Sequence, residues 1–233
     1  MTTPPQVLFL DADDTLWENN IYFERAIERF YSLLGPAGAD RAAARAEIDR
    51  QERRAIAEAG YGLVTFQRAL ERTLQALAPQ LWNASAAQAV AGLVAAIARK
   101  PIEFLPDALE VVRALASRHR LLLLTKGDFA EQTRKVALAG IASLLEGVHV
   151  LAEKNPAAFR ERLQAVAAPP PSCWMIGNSP RSDINPALAA GMNAILIPHP
   201  HTWALELETV SGVCAPGCRC LTLARLKDLL EYF

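Results

Sequence analysis

The stretch VLFLDADDTLW, residues 7–17, places three carboxylates directly after four apolar residues. The apolar run predicts a strand that is buried on both faces, as in a parallel sheet. Like charges this close together raise one another's pKa, so it is costly to hold Asp11, Asp13 and Asp14 at the end of one strand. The cluster indicates either a bound cation or a solvated polar turn, and the rest of the chain has to decide between them.

Further short apolar runs follow along the chain and alternate with helical patterns. Phe129, Thr133, Val136 and Gly140, for example, recur at helical spacing. This alternation predicts an α/β, doubly wound, Rossmann-like fold with a mostly parallel sheet core. The further predicted strands are LLLLT (121–125), VHV (148–150), CWMIG (173–177) and AILIP (194–198).

The segment between the first and second predicted strands has a different pattern. It contains amphipathic stripes at helical spacing and no convincing strand run, which predicts an inserted all-α helical domain. We therefore expect an α/β core formed by residues 1–19 and 104–233, and a helical domain formed by residues 20–103.

Composition limits the classes of function. The chain has 233 residues, 52% of them hydrophobic and 21% charged, and a formal net charge of −1. Such a composition is typical of a globular protein with a sizeable core, and it gives no electrostatic case for a nucleic-acid partner or an anionic membrane. The N-terminal MTTPPQ resembles no secretory signal, and four cysteines are too few for a disulfide framework. A cytoplasmic location is expected, and the oligomeric state cannot be read from the sequence.

Polar residues follow four of the predicted strands. Asp11 and Asp13 follow the first, Thr125 and Lys126 end the second, Lys154 follows the third, and Asn178 and Asp183 follow the fourth. Because ligands bind at the carboxyl ends of the strands in open parallel sheets, we expect these side chains to gather at one site.

In kind and order these residues resemble the motifs of the haloacid dehalogenase superfamily. DADDT (11–15) resembles the first motif, D-x-D-x-T, and LLLLTKG (121–127) resembles the second, an apolar strand that ends in Thr or Ser. Lys154 in AEKNPAAF resembles the third motif, and MIGNSPRSD (175–183) the fourth. The helical insertion lies where this family has its helical C1 cap.

The resemblance implies a Mg²⁺-dependent phosphatase that acts on a small phosphorylated metabolite. Asp11 would be the nucleophile that forms an aspartyl-phosphate, and also a metal ligand. Asp13 would be the general acid and then the base, with its backbone carbonyl on the metal. A hard cation is needed because phosphoryl transfer brings negative charges together. The alternation of an extended chain points Asp11 and Asp13 to the same side.

The remaining site residues have implied roles in binding phosphate and metal. Thr125 and Lys154 would hold the phosphoryl oxygens, with further backbone donors at Lys126 and Gly127. In the fourth motif, Asn178 stands where the family usually has a metal-binding aspartate. Its amide oxygen can still bind Mg²⁺, but without a charge. Asn178 and Asp183 are therefore both candidate metal ligands, and the sequence does not decide which of the two binds the ion directly. Ser179 and Ser182 are minor candidates for orienting this shell.

Four alternatives stay open. A 2-haloacid dehalogenase of this superfamily uses the same nucleophile on carbon and needs no metal, but it lacks the second aspartate of the first motif. A phosphomutase differs only in how well it excludes water. A phosphonate hydrolase needs a lysine in the cap, where Lys100 stands at the far end. Asn178 favours a non-catalytic binding protein with a decayed site.

Some polar residues outside these motifs have a weaker case. His199 and His201, with Cys214, Cys218 and Cys220, suggest zinc only weakly, because the histidines are too close together for a structural zinc pattern. We expect His199 near the rim of the active site instead. For Asp14 we expect a helix cap or a supporting role behind the site.

Overall fold

The computed structural model describes residues 5–211 and 217–233. Six strands form one sheet in the order β3-β2-β1-β4-β5-β6, and each neighbouring pair is parallel. The predicted α/β fold with a parallel sheet core is confirmed. The strands are β1 (Val7–Leu10), β2 (Arg120–Lys126), β3 (Gly147–Leu151), β4 (Cys173–Gly177), β5 (Asn193–Leu196) and β6 (Cys220–Thr222).

The helices fall into a set between β1 and β2 and a set that alternates with the later strands. Among the described residues, no helix is both long enough and apolar enough to span a membrane. The first set is α1 (Asn20–Leu34), α2 (Arg41–Ala59), α3 (Leu63–Leu77) and α4 (Ala84–Ala98). The second set is α5 (Ala108–Ala116), α6 (Phe129–Ala139), α7 (Pro156–Val166), α8 (Asn185–Ala189) and α9 (Leu229–Tyr232).

Both faces of the central strand are covered. Leu8 and Leu10 belong to one buried cluster, which includes Val112 of α5. Phe9 lies in a second cluster with Phe159 of α7. Because successive strand side chains point to opposite faces, the unbroken run VLFL is what a strand covered on both sides requires.

The chain divides into two compact units. One consists of Met1–Asn20 with Ile102–Phe233 and contains the sheet, and the other is Ile21–Pro101. The helical unit has its own buried cluster, centred on Phe30, Ile48 and Leu70. The predicted boundaries differ from these by one residue at the first junction and by two at the second. That the helical unit acts as a cap stays a prediction.

Side-chain caps fix the helices that follow β2 and β3. Asp128 accepts a hydrogen bond from the N–H of Glu131 and begins α6, and Asn155 accepts one from Ala158 and begins α7. Such caps satisfy N–H groups that the helix leaves unpaired. They fix the short connections that follow Lys126, the last residue of β2, and that contain Lys154 after β3.

Candidate active site

The carboxyl ends of β1, β2 and β4 lie side by side. Leu10 pairs with Leu123 of β2 on one side and with Ile176 of β4 on the other. The N–H of Asp11 continues this pairing and donates to Ile176 O at 2.9 Å. The chain leaves β3 on one side of β1 and re-enters the sheet at β4 on the other, which makes the top of β1 a topological switch point.

Lys154 joins two of the predicted site carboxylates. Its Nζ lies 2.5 Å from Asp11 Oδ1 and 2.6 Å from Asp183 Oδ1. All three side chains are buried: the residues are 4%, 7% and 1% exposed, respectively. The structure therefore brings together residues from the ends of three strands, separated by up to 172 positions in the sequence.

The charges of this cluster do not cancel. Burial alone would lower the pKa of Lys154, but the charges of Asp11 and Asp183 outweigh it and raise that pKa. Burial also raises the pKa of Asp183, and the negative charge of Asp11 adds to this while Lys154 opposes it. With both acids ionised, one ammonium faces two carboxylates, and the buried site has an excess negative charge.

Thr15 and Asn178 lie on the other side of Asp11. The Thr15 hydroxyl is 2.9 Å from Asp11 Oδ2 and 3.3 Å from Asn178 Oδ1, and it accepts a hydrogen bond from the N–H of Asn178 at 3.1 Å. Asn178 Nδ2 donates to Thr202 Oγ1, whose own proton is donated to the carbonyl of His199. This chain of donors fixes the orientation of the amide, so that the oxygen of Asn178 faces Thr15 and Asp11.

Asp183 lies on a tight turn after β4. The turn is a π-helical segment, Pro180–Ile184, and the N–H of Ser179 donates to Asp183 Oδ2 at 3.0 Å. A Cβ atom at Gly177 would overlap the Asp183 carboxylate. Glycine at this strand end therefore allows the carboxylate to approach the backbone, which a sequence pattern alone does not reveal.

Asp13 has a separate set of partners. Lys135 Nζ contacts both carboxylate oxygens, at 2.8 and 2.6 Å, Trp17 Nε1 donates to Oδ1 at 2.8 Å, and Gln132 Nε2 donates to Oδ2 at 2.9 Å. Burial raises the pKa of Asp13, but the charge of Lys135 and these hydrogen bonds outweigh burial and hold the pKa below its ordinary value. A carboxylate held in this way stays ionised at neutral pH, so it has no proton to donate and can act only as a proton acceptor, and a weakly basic one.

The two predicted phosphate-binding residues of β2 have different surroundings. Thr125 is buried and pairs with Val150 of β3. The ammonium of Lys126 lies 2.6 Å from Glu206 and 2.7 Å from Ser182, and the N–H of Gly127 donates to the carbonyl of Leu151. The Gly127 donor is thus already used in this structure, and phosphate binding by Lys126 stays a prediction.

The family model of the haloacid dehalogenase-like hydrolases matches residues 5–191, which include the buried cluster of Asp11, Lys154 and Asp183. The chain belongs to this family. Among proteins of curated function, no relative matches at a significant level.

Solved structures of hydrolases share the fold over almost the whole chain. A haloacid dehalogenase-like family hydrolase from Xanthomonas campestris is 26% identical, with a TM-score of 0.83, and the match covers 98% of this chain and 94% of that one. A HAD-hydrolase from Bacillus subtilis, YfnB, solved bound to magnesium, is 14% identical with a TM-score of 0.66, and the match covers 99% of each chain. L-2-haloacid dehalogenase from Xanthobacter autotrophicus is 19% identical with a TM-score of 0.64, and the match covers 97% of each. The last two likenesses show the fold alone.

The donors of this hydrolase fit Mg²⁺. Asp11, Asp183 and Asn178 offer oxygen atoms, which are the ligands that a hard cation prefers. With Asp11 and Asp183 both ionised, the cluster that they form with Lys154 carries one excess negative charge; this charge is the independent structural sign, since a divalent ion would offset it. The assignment of Asp11, Asp13, Asn178 and Asp183 as metal ligands stays a prediction.

Sequence reasoning missed the partners of Asp13 and one polar network. Lys135 and Gln132 lie one helical turn apart on α6, and the predicted apolar stripe of that helix pointed elsewhere. Phe129, the first residue of the stripe, is 69% exposed, whereas Gln132 is buried. Glu206 lies in a segment without any motif, and its link to Lys126 had no signal in the sequence.

Proposed function

We propose that this hydrolase is a Mg²⁺-dependent phosphatase that releases phosphate from a small phosphomonoester through an aspartyl-phosphate on Asp11. The observation that carries the proposal is the buried cluster in which Lys154 lies between Asp11 and Asp183. A carboxylate beside a fixed cation, with a second carboxylate available for a divalent ion, is the equipment that nucleophilic phosphoryl transfer needs.

The chemistry assigns one role to each residue. A carboxylate oxygen of Asp11 forms a bond to phosphorus while the bond from phosphorus to the leaving oxygen breaks. Lys154 and the hydroxyl of Thr125 bind the phosphoryl oxygens and stabilise their charge. When bound, Mg²⁺ supplies further charge that allows the two anions to approach. Asp13 then takes a proton from the water that attacks the aspartyl-phosphate, which frees Asp11 and releases phosphate.

The contacts of Asp13 suggest which leaving groups are favoured. Because Lys135, Gln132 and Trp17 lower the pKa of Asp13, this carboxyl group is poorly placed to protonate a leaving oxygen in the first step. Leaving groups that need no proton, such as those of aryl and acyl phosphates, depend least on that donation. We therefore expect faster turnover of these phosphates than of alkyl phosphomonoesters.

The helical unit is the proposed selector of the substrate. Residues 21–100 contain 11 arginines and lysines against eight aspartates and glutamates, which is compatible with an anionic substrate. Lids commonly select substrates by closing over a site. No nucleic-acid or membrane partner is proposed.

A second candidate, 2-haloacid dehalogenase activity, is favoured by two observations. Asn178 carries no charge where a metal-binding aspartate is usual, and Asp13 is held by a lysine. In that reaction Asp11 would displace halide from carbon, and water would hydrolyse the ester that forms. The presence of Asp13, which such enzymes lack, places this candidate second.

One set of assays separates the candidates. We expect phosphate release from an aryl phosphomonoester with Mg²⁺, loss of that release with EDTA, and loss of it in Asp11→Asn. Asp40→Asn is the matched control, because Asp40 is an exposed helix cap and asparagine caps equally well. Halide release from a 2-haloacid that is insensitive to EDTA would instead establish the dehalogenase. If neither phosphate nor halide is released, the result would favour a non-catalytic binding protein.

A further inference from the structure

A second cluster of ligand groups lies behind the catalytic turn and shares no residue with the predicted Mg²⁺ centre. Asp14 and Glu18 follow β1, and His199 follows β5. One ring nitrogen of His199 and one oxygen from each carboxylate lie within 4.8 Å of one another. Nε2 of His199 is 3.4 Å from Glu18 Oε2, and Nδ1 is 3.8 Å from Asp14 Oδ1.

The separation of His199 Nε2 from Glu18 Oε2 suits a shared ion, and Asp14, which contacts the other ring nitrogen, would reach that ion by a small side-chain shift. Two ligand atoms on a tetrahedral Zn²⁺, each about 2.1 Å from the metal, lie roughly 3.4 Å apart. The side chains of His199 and Asp14 are 8% and 6% exposed, whereas that of Glu18 is 29% exposed and leaves a route from solvent. The cluster is thus largely buried, with one ligand pair at the required spacing and all three ligand atoms within 4.8 Å of one another.

An unsatisfied atom gives independent support. Glu18 Oε2 is buried and accepts no hydrogen bond of good geometry from any residue that the structure describes, since its contact with His199 Nε2 is long, at 3.4 Å. A buried carboxylate oxygen without a well-placed donor costs free energy, and a cation bound there would remove that cost. Asp14 keeps lone pairs for an ion although its carboxylate accepts hydrogen bonds from the N–H groups of Asn19 and Asn20.

We propose that Asp14, Glu18 and His199 bind a divalent transition-metal ion, with Zn²⁺ the best fit. One imidazole and two carboxylates match the borderline character of this ion, and their two negative charges balance it. Binding through Nε2 moves the ring proton to Nδ1 and gives up the 3.3 Å hydrogen bond from the His201 N–H. The ion would link the turn after β1 to the loop after β5, directly behind Asp13.

Among the described residues, no cysteine belongs to this group of ligands. Cys218 donates to the carbonyl of Gly191, Cys220 lies on β6, and Cys214 falls outside the described residues. The structure thus places His199 with carboxylates instead of with the thiols that the sequence suggested as weak zinc candidates.

The test is a titration of the EDTA-treated full chain with Co²⁺ and Zn²⁺ in saturating Mg²⁺. We expect one Co²⁺ per chain with visible absorption of low-symmetry N/O coordination, displacement by Zn²⁺, and a rise in melting temperature. Glu18→Gln and His199→Gln should each weaken binding by roughly tenfold or more. His201→Gln and Asp11→Asn are matched controls that should bind as the parent does.

Three results would overturn the site. They are no binding by the parent chain, binding unchanged in both Glu18→Gln and His199→Gln, and a sulfur-to-cobalt charge-transfer band that places the ion on cysteines. Far-ultraviolet circular dichroism of the metal-free variants distinguishes lost ligands from lost folding. If His199→Gln does not fold, Glu18→Gln, at the more exposed position, decides the matter.

Discussion

Replacing Asp14 with asparagine should remove a large part of the pH dependence of stability. Burial raises the pKa of this carboxyl group from 3.8 to about 7, and hydrogen bonds from Asn20 and Asn19 oppose the rise only partly. Asparagine suits the site, because its oxygen can accept the same backbone hydrogen bonds and because it tolerates the positive φ of 59° at this position.

The direction of this pH dependence follows from which state, folded or unfolded, binds the Asp14 proton more tightly. A group whose pKa is higher in the folded than in the unfolded state contributes most stability below the unfolded value and loses it as the pH rises through the folded value. Between pH 3.8 and about 7, Asp14 therefore lowers the unfolding free energy by about 1.4 kcal/mol per pH unit, or about 4 kcal/mol in all.

The assay is urea unfolding of the parent chain and Asp14→Asn in EDTA, at pH 5 and pH 8. EDTA keeps bound metal out of the comparison. We expect the variant to be the more stable protein at pH 8, and its advantage to grow by about 2.7 kcal/mol from pH 5 to pH 8. Groups that titrate equally in both proteins cancel in this difference. An advantage that is equal at both pH values, or that shrinks at pH 8, would refute the reasoning.

Three further changes test the site. Lys154→Met leaves two buried carboxylates without their cation and should lower the unfolding free energy by about 3–5 kcal/mol. Added Mg²⁺ should restore part of this stability. An unchanged unfolding free energy in urea would contradict the buried ion pairs. Gly177→Ala should lower the unfolding free energy by about 2 kcal/mol or more, because the new methyl group meets the carboxylate of Asp183. Gly92→Ala is the control: its methyl group meets open space in α4, and it should raise the unfolding free energy by about 1 kcal/mol. Thermal melts that show equal effects for the two variants would disprove the contact at Gly177. Lys135→Met should let the pKa of Asp13 rise, so that turnover of alkyl relative to aryl phosphomonoesters increases roughly tenfold. If the ratio of the two turnover rates is unchanged and KM is higher, Lys135 is a substrate-binding group instead.

Strand ends were predictable because their signals are local. An unbroken apolar run followed by Asp11, or a run that ends in Thr125, combines a buried strand with a polar end, and the parallel topology gathers such ends at one edge of the sheet. This argument predicted the region where Lys154 meets Asp11 and Asp183, although no motif showed that one ammonium would bridge both acids.

The contacts of helix faces were not predictable in the same way. Whether Lys135 points to Asp13 depends on the rotation of α6 about its axis. In the predicted stripe Val136 is buried as expected, but Phe129 is exposed. Gln132 is buried on this helix and donates a hydrogen bond to Asp13, and hydrophobic periodicity does not detect such polar contacts. The strand β6 was also missed, because its three residues are too short for any alternation to appear.

The order of the strands has a consequence for biosynthesis. β1 is an inner strand that is made before the other strands of the sheet, and one of its two neighbours, β4, is made more than 160 residues later. Until then VLFL lacks one partner, so a nascent chain exposes its most apolar strand while the helical segment is being completed. Sheet closure is therefore a late event that depends on distant contacts, which favours slow folding and assistance by chaperones.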